Sequence, residues 1–316
     1  MSSITTYLTF LSLLLCMACS FDGDLEYIPR TQAAYFLIQD TFSGPKSILS
    51  IQKGRMISSW QEQIGLSTFD LGDMSGNERS FWVSDVARRE VLEIDLSNQL
   101  VKNRFVVKGL SPHLICIGER QMLISDTSQY KIGFMELKSG ALLIRAVDAL
   151  PGFATYRSQK FFLVSDGNQI DIYHEKALAK LNTITLSQKI DDIQLDNGFY
   201  TYIYGYATRG GFEGRIDYST NALSAEVVEK NFLKSRLSPY KRQNYGREWV
   251  LNQLLDERRT IKTINNIQDY EVDFFESNLY YRKDDSLFVY NYIDQSQKKM
   301  GAFTSNFLKS YFFIEP

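Results

Sequence analysis

One five-residue phrase, used three times, restricts this chain more than any other feature. Residues 81–85 read Phe-Trp-Val-Ser-Asp, residues 122–126 read Met-Leu-Ile-Ser-Asp, and residues 162–166 read Phe-Leu-Val-Ser-Asp. The closing aspartates, Asp85, Asp126 and Asp166, are spaced by 41 and then 40 positions. Self-similarity at a fixed period of about 40 residues is the mark of a repeat architecture. In such a fold each unit cannot bury its apolar faces alone and must stack on a neighbour.

Each copy has the same grammar. An apolar run ends in the aspartate, a short turn follows, and then a second run alternates: Val91-Leu-Glu-Ile-Asp-Leu96, Ile132-Gly-Phe-Met-Glu-Leu137 and Ile170-Asp-Ile-Tyr173. Period-two alternation broken by Gly, Asn and Ser reads as short antiparallel strands joined by hairpins. Aromatic residues make up 14% of the chain, and their wide rings suit pleated, packed surfaces. Ala34 to Asp40 reads as a diverged copy of the phrase. Ser310 to Ile314 could complete a unit begun by the N-terminus. Residues 230–262 are the least regular, and Glu248 to Leu255 fits a strand or a helical turn.

About 290 residues at roughly 41 per unit allow about seven units. The expected fold is all-β: a single β-propeller over residues 31–316, with about seven blades and six or eight open. A pair of β-sandwiches is the competing architecture. No Pro/Gly/Ser linker divides the body, which favours one domain.

Residues 1–18 read as a targeting segment. The apolar run from Leu8 to Ala18 is too short to span a bilayer as a helix, and it ends directly before Cys19. A small residue before a cysteine at the end of such a run resembles a bacterial lipoprotein signal. That resemblance implies cleavage before Cys19 and acylation of its thiol. Residues 19–30 would then be a lipidated N-terminus and polar, acidic tether, similar to those of Bacteroidetes lipoproteins. Ser20 directly after the cysteine suits outer-membrane sorting by the same resemblance. An ordinary secretory signal cleaved nearby, or an uncleaved anchor, remains the alternative. Of the three cysteines, Cys16 and Cys19 fall in or at the leader, and Cys116 sits in an apolar strand as a core residue.

The formal net charge of −2 excludes a global field pulling the chain onto nucleic acid. No metal site is expected: His113 and His174 are far apart, and no zinc or calcium spacing occurs. No phosphate-cradling glycine loop or nucleophile elbow is present, and no cofactor is expected. Two sets of candidates remain. In a propeller, the loop entering a blade and the turn after its second strand share one face. By resemblance to propellers, His113, Asp85, Asp126 and Asp166 would lie toward the same side of the ring, where a His and several carboxylates around a funnel could bind a cation or a sugar or do acid–base work. Each aspartate equally serves to lock its own turn. The second set is a surface. Tyr200, Tyr202, Tyr204 and Tyr206 alternate along one strand and could stack a glycan or meet a partner, or simply pack between blades. Nearby Lys241 and Arg242 belong to a basic crowd (Lys230, Lys234, Arg236 and Arg247) that would hold an acidic partner or lipid headgroups, or be a solvated loop.

Ser111-Pro112-His113, then Ile-Ser-Asp126, then Met-Glu-Leu-Lys-Ser-Gly140 resembles the repeat of bacterial YVTN-type and TolB-like propellers, clearly over residues 65–186. The resemblance implies architecture, since propellers host many functions. The expectation is a non-enzymatic lipid-anchored propeller of the cell envelope. It would act as an interaction scaffold or accessory subunit of an outer-membrane protein or complex, on the periplasmic or cell-surface side. A glycan- or peptide-binding lipoprotein of nutrient uptake is the alternative, and a divergent propeller hydrolase or lyase is the third reading. Metabolic labelling with a clickable fatty acid is expected to tag the protein, and Cys19→Ser to abolish the tag.

Overall fold

The structure is a computed structural model. It describes the backbone of most residues between 33 and 314, without interruption over 100–186, and few side chains between 187 and 266. Residues 32–316 form one compact unit. Among the described residues, the strands group into seven four-stranded antiparallel sheets, and each is a meander whose neighbours in sequence are neighbours in space. The inner strands stand side by side. Leu71–Gly76 packs on Leu114–Ile117, which packs on Pro151–Arg157, and the series continues through Asp192–Leu195 to Lys234–Leu237. The C-terminal strand Phe307–Ile314 lies between Asp269–Asp273 and Leu71–Gly76, which closes the circle. This radial arrangement is a β-propeller. The closing sheet is composite. Its inner strand is Phe307–Ile314, and its other three are Ala33–Gln39, Ser47–Gln52 and Arg55–Ile57.

The repeated phrase forms the second strand of its sheet each time. Phe81–Asp85 is buried throughout, and so are Gln121–Asp126 and Lys160–Ser165 apart from their first residues. A second strand has a neighbouring sheet on each face, so both sets of side chains are covered. That is why the phrase is continuously apolar rather than alternating. Burial fades outward, and Leu100–Val106, the fourth strand of the Asp85 sheet, is largely exposed. The core lies between sheets. Trp82, Val91, Ile115, Met122 and Met135 join the Asp85 and Asp126 sheets, with Trp82 stacked on Phe105. Cys116, Phe134, Phe161, Leu163 and Tyr173 join the Asp126 and Asp166 sheets. Cys116 is thus the core residue anticipated.

Residues 230–262 correct the sequence reading. They overlap Lys234–Leu237, Lys241–Tyr245, Glu248–Gln253 and Asp256–Asn265, the last running past residue 262, and these strands form one sheet. Lys241 and Arg242 therefore lie in a strand, not a loop, and Glu248–Gln253 is not helical. The pattern was hidden because Lys-Ser-Arg-Leu and Lys-Arg-Gln-Asn-Tyr offer no apolar alternation. Backbone pairing, not side-chain period, makes them strands. Asp284 and Asp285 both have positive φ, 49° and 54°, and make the two-residue turn of a hairpin.

Polar staples join adjacent sheets. Asp73, buried in the inner strand Leu71–Gly76, accepts the Ile115 N–H at 3.0 Å, and Ser75 Oγ accepts the Ile117 N–H at 3.1 Å. Buried Glu175 extends from the Asp166 sheet. It accepts the N–H groups of Arg120 at 2.7 Å and Gln121 at 3.0 Å, and the Tyr156 hydroxyl at 2.7 Å. Burial, and then the adjoining Glu175 carboxylate, pushes the Tyr156 phenol well above its ordinary value. Gly118 leaves the room Glu175 needs, since a Cβ there would lie 2.5 Å from the carboxylate. Truncating Glu175 removes the shared acceptor of three donors at once. Glu175→Ala is expected to lower the unfolding free energy by about 3 kcal/mol in urea titration, and Glu175→Gln, which keeps an acceptor, by less.

Candidate functional site

The strand Gln121–Asp126 delivers Asp126 to the end of its sheet where the chain enters from the previous unit. Its Oδ2 accepts the Ser111 N–H at 2.8 Å. Its Oδ1 accepts the Ser128 N–H at 3.0 Å and the Ser128 hydroxyl at 2.6 Å. Pro112 has no N–H, and the His113 N–H turns back onto the Ser111 carbonyl at 2.8 Å. That bend sets His113 Nδ1 3.4 Å from Asp126 Oδ1, with the ring 28% exposed and the carboxylate fully buried. The loop rests on the preceding sheet. A Cβ on Gly72 would meet the Pro112 carbonyl oxygen at 2.4 Å, so only glycine allows this approach.

The other two repeat aspartates perform the same task by different means. Asp166 has φ of 48°, and its Oδ1 accepts the Leu150 N–H at 3.0 Å while its own N–H donates to the Leu150 carbonyl at 2.9 Å. Asp85 accepts the Arg88 N–H at 2.9 Å and Arg88 Nη1 at 2.7 Å. Arg88 in turn donates to the Thr68 carbonyl at 3.2 Å and lies over the Phe69 ring. Each aspartate thereby ties the turn after the second strand to the loop that enters its sheet. Asp85, Asp126 and Asp166 lie at corresponding ends of three successive sheets. Among these candidates, only His113 and Asp126 are brought within 4 Å of each other.

Burial alone would raise the Asp126 carboxyl, but it is overruled. The Ser128 hydroxyl, the Ser111 and Ser128 N–H groups and the neighbouring His113 together hold it below its ordinary value. Among the described residues, no group of three His, Cys, Asp or Glu is placed to hold a metal ion. Tyr200, Tyr202, Tyr204 and Tyr206 lie in the strand Tyr200–Ala207, whose pairing with Gly210–Asp217 runs without a register shift. Their side chains, those of Lys241 and Arg242, and Cys19 with its tether lie outside the described residues. Asp73, Ser75 and Glu175 were not singled out from the sequence. Asp73 and Ser75 do leave a trace, as polar residues two apart in an otherwise buried strand. Glu175, in a turn, leaves none.

A depressed native pKa means that folding favours the Asp126 carboxylate. Its stabilisation is complete above the unfolded-state pKa of about 3.9 and is lost as pH falls through the lower native value. Asp126→Asn is therefore expected to be less stable at neutral pH and to show a shallower loss of stability below about pH 4, measured by denaturant unfolding across pH.

No protein-family model matches the sequence, and no curated protein does. Solved structures do match. A Lactobacillus plantarum protein aligns with a TM-score of 0.65 and 11% identity, over 89% of this chain and 99% of that one. The β-propeller domain of Myceliophteria thermophila Cps50 (Swd1) aligns with a TM-score of 0.55 and 11% identity, over 72% and 84%. Kuenenia stuttgartiensis hydrazine synthase aligns with a TM-score of 0.53 and 10% identity, over 70% and 76%. At such identities the likeness is one of fold.

Proposed function

We propose that this chain is a non-enzymatic β-propeller of the bacterial cell envelope, anchored at the outer membrane through an acylated Cys19. It serves as a scaffold or accessory subunit for an outer-membrane protein or complex. One observation carries the reading. On the face where chemistry was expected, Asp85 and Asp126 are buried and spend both carboxylate oxygens on the fold, and exposed Asp166 spends one. Asp126 holds Ser111 and Ser128, Asp85 holds Arg88, and Asp166 holds Leu150. A general acid or base needs a proton site free to meet substrate. Here the shared turn-locking task explains the repetition. A rigid disc with many surface turns is suited to protein contacts, and the anchor would keep it at the membrane.

A second reading is a glycan- or peptide-binding lipoprotein of nutrient uptake, favoured by the uninterrupted strand that carries the four alternating tyrosines. A divergent hydrolase or lyase would have to work through His113, the one candidate with a carboxylate beside it. Capture of the tagged protein from membranes of its own organism in mild detergent separates these readings. The scaffold reading expects a stoichiometric membrane-protein partner, retained on washing and unaffected by His113→Ala. A solitary propeller whose glycan binding is lost in Tyr200→Ala/Tyr204→Ala would overturn it, as would turnover that His113→Ala abolishes.

A further inference from the structure

Both ends of the propeller leave it on one face. Ala33–Gln39 is second from the centre of its sheet, the place that Phe81–Asp85 and Gln121–Asp126 hold in theirs. Those strands run toward the entry loops, as the bonds from Asp126 to Ser111 and from Asp166 to Leu150 require. By the same direction, Gln39 ends at the entry-loop face and Ala33 starts at the opposite one. Ala33 pairs with Ile314, so the C-terminal strand also ends there.

That opposite face carries the turns between third and fourth strands. In the turn after Asn291, Ile293 is 67% exposed, the most of any large hydrophobic among the described residues. Its position is built rather than loose, because Asn291 Oδ1 accepts the N–H groups of Ile293 at 2.9 Å and Asp294 at 3.1 Å. Exposed Lys298 and Lys299 open the following strand. This sheet borders the one in which the chain begins. Gln297–Ala302 packs on Arg55–Ile57, and Asp269–Asp273 on Phe307–Ile314. A protruding aliphatic residue beside two exposed lysines, which outnumber the neighbouring Asp294 carboxylate that accepts the Ser296 N–H at 2.8 Å, has the chemistry of a contact with an anionic lipid interface.

We propose that this face rests on an anionic bilayer surface with Ile293 in the interfacial layer, so that the face bearing His113 and Asp126 is averted from the lipid and open to a partner. The proposal rests on acylation of Cys19. Residues 20–32 would then be the link, thirteen in number. Such a length reaches at most about 45 Å extended and averages about 20 Å if it takes no structure. A seven-residue strand alone is about 23 Å long, so a link leaving one face does not, at its average reach, set the other face on the membrane.

The test uses the acylated full chain in vesicles containing phosphatidylglycerol. Gln129→Cys and Lys138→Cys place a fluorophore in exposed turns at opposite ends of the Asp126 sheet, and buried Cys116 does not compete for label. With quencher on the lipid headgroups, the label at position 138 is expected to lose fluorescence and the label at 129 to keep it. Ile293→Ser is expected to reduce the loss at 138. Equal or stronger quenching at 129 would overturn the orientation. Absence of quenching at 138, with cross-linking of that position to an acidic protein in native membranes, would overturn it too. Mass analysis of the N-terminal peptide separates the failures. An unacylated peptide from a chain that washes off the vesicles removes anchor and orientation together, whereas an acylated chain quenched at 129 removes the orientation alone.

Discussion

The pairing of the first described strand with the last is the interaction on which the rest of the structure depends. Ala33–Gln39 and Phe307–Ile314 match antiparallel from Ala33↔Ile314 to Gln39↔Phe307. Without it, the sheet that begins the chain lacks its inner strand, and two sheets of the ring lose a neighbour. Most contacts between the other sheets form between units successive in sequence, whereas the composite sheet joins the two ends of the chain. That pairing spans nearly the whole chain, so its loop-closure cost is met only once the intervening sheets have aligned the two ends.

Within the ring, apolar burial does not explain how neighbouring sheets find a single register, because flat apolar faces slide. Directed polar contacts supply the specificity. Asp73 and Ser75 reach across to Ile115 and Ile117, two residues apart on each side. Glu175 gathers two backbone donors from the adjoining sheet and the Tyr156 hydroxyl from its own. A buried carboxylate with every donor in place is tolerated, and one misplaced by a register slip is not. These residues thus penalise wrong packings more than they strengthen the right one.

The same economy shapes the functional reading. A repeated aspartate invites a catalytic interpretation, yet its repetition follows from a repeated mechanical need, to hold an entry loop against a strand end. Position then matters more than reactivity. The strand direction puts the start of Ala33–Gln39, the end of Phe307–Ile314 and Ile293 on one face and the loops around His113 on the other. A protein built this way offers two chemically different surfaces separated by the length of a strand.

Much of this was legible beforehand. The phrase at Asp85, Asp126 and Asp166 announced repeated β units, and Ser310 to Ile314 was recognisable as the completion of an N-terminal unit. The sheet spanning residues 234–265 was legible only at Glu248 to Leu255, one of whose two readings was a strand, because its other strands are defined by backbone pairing with partners the side chains do not advertise. Nor was Glu175, whose three donors lie some 20 to 55 positions away in the chain. The sequence by itself determined the period, the strand pattern and the turn chemistry, all written in neighbours along the chain. Only the tertiary structure decided which polar groups are consumed, that His113 lies against Asp126, and on which face the chain ends emerge. Those depend on contacts between sheets, where distance in sequence carries no information about distance in space.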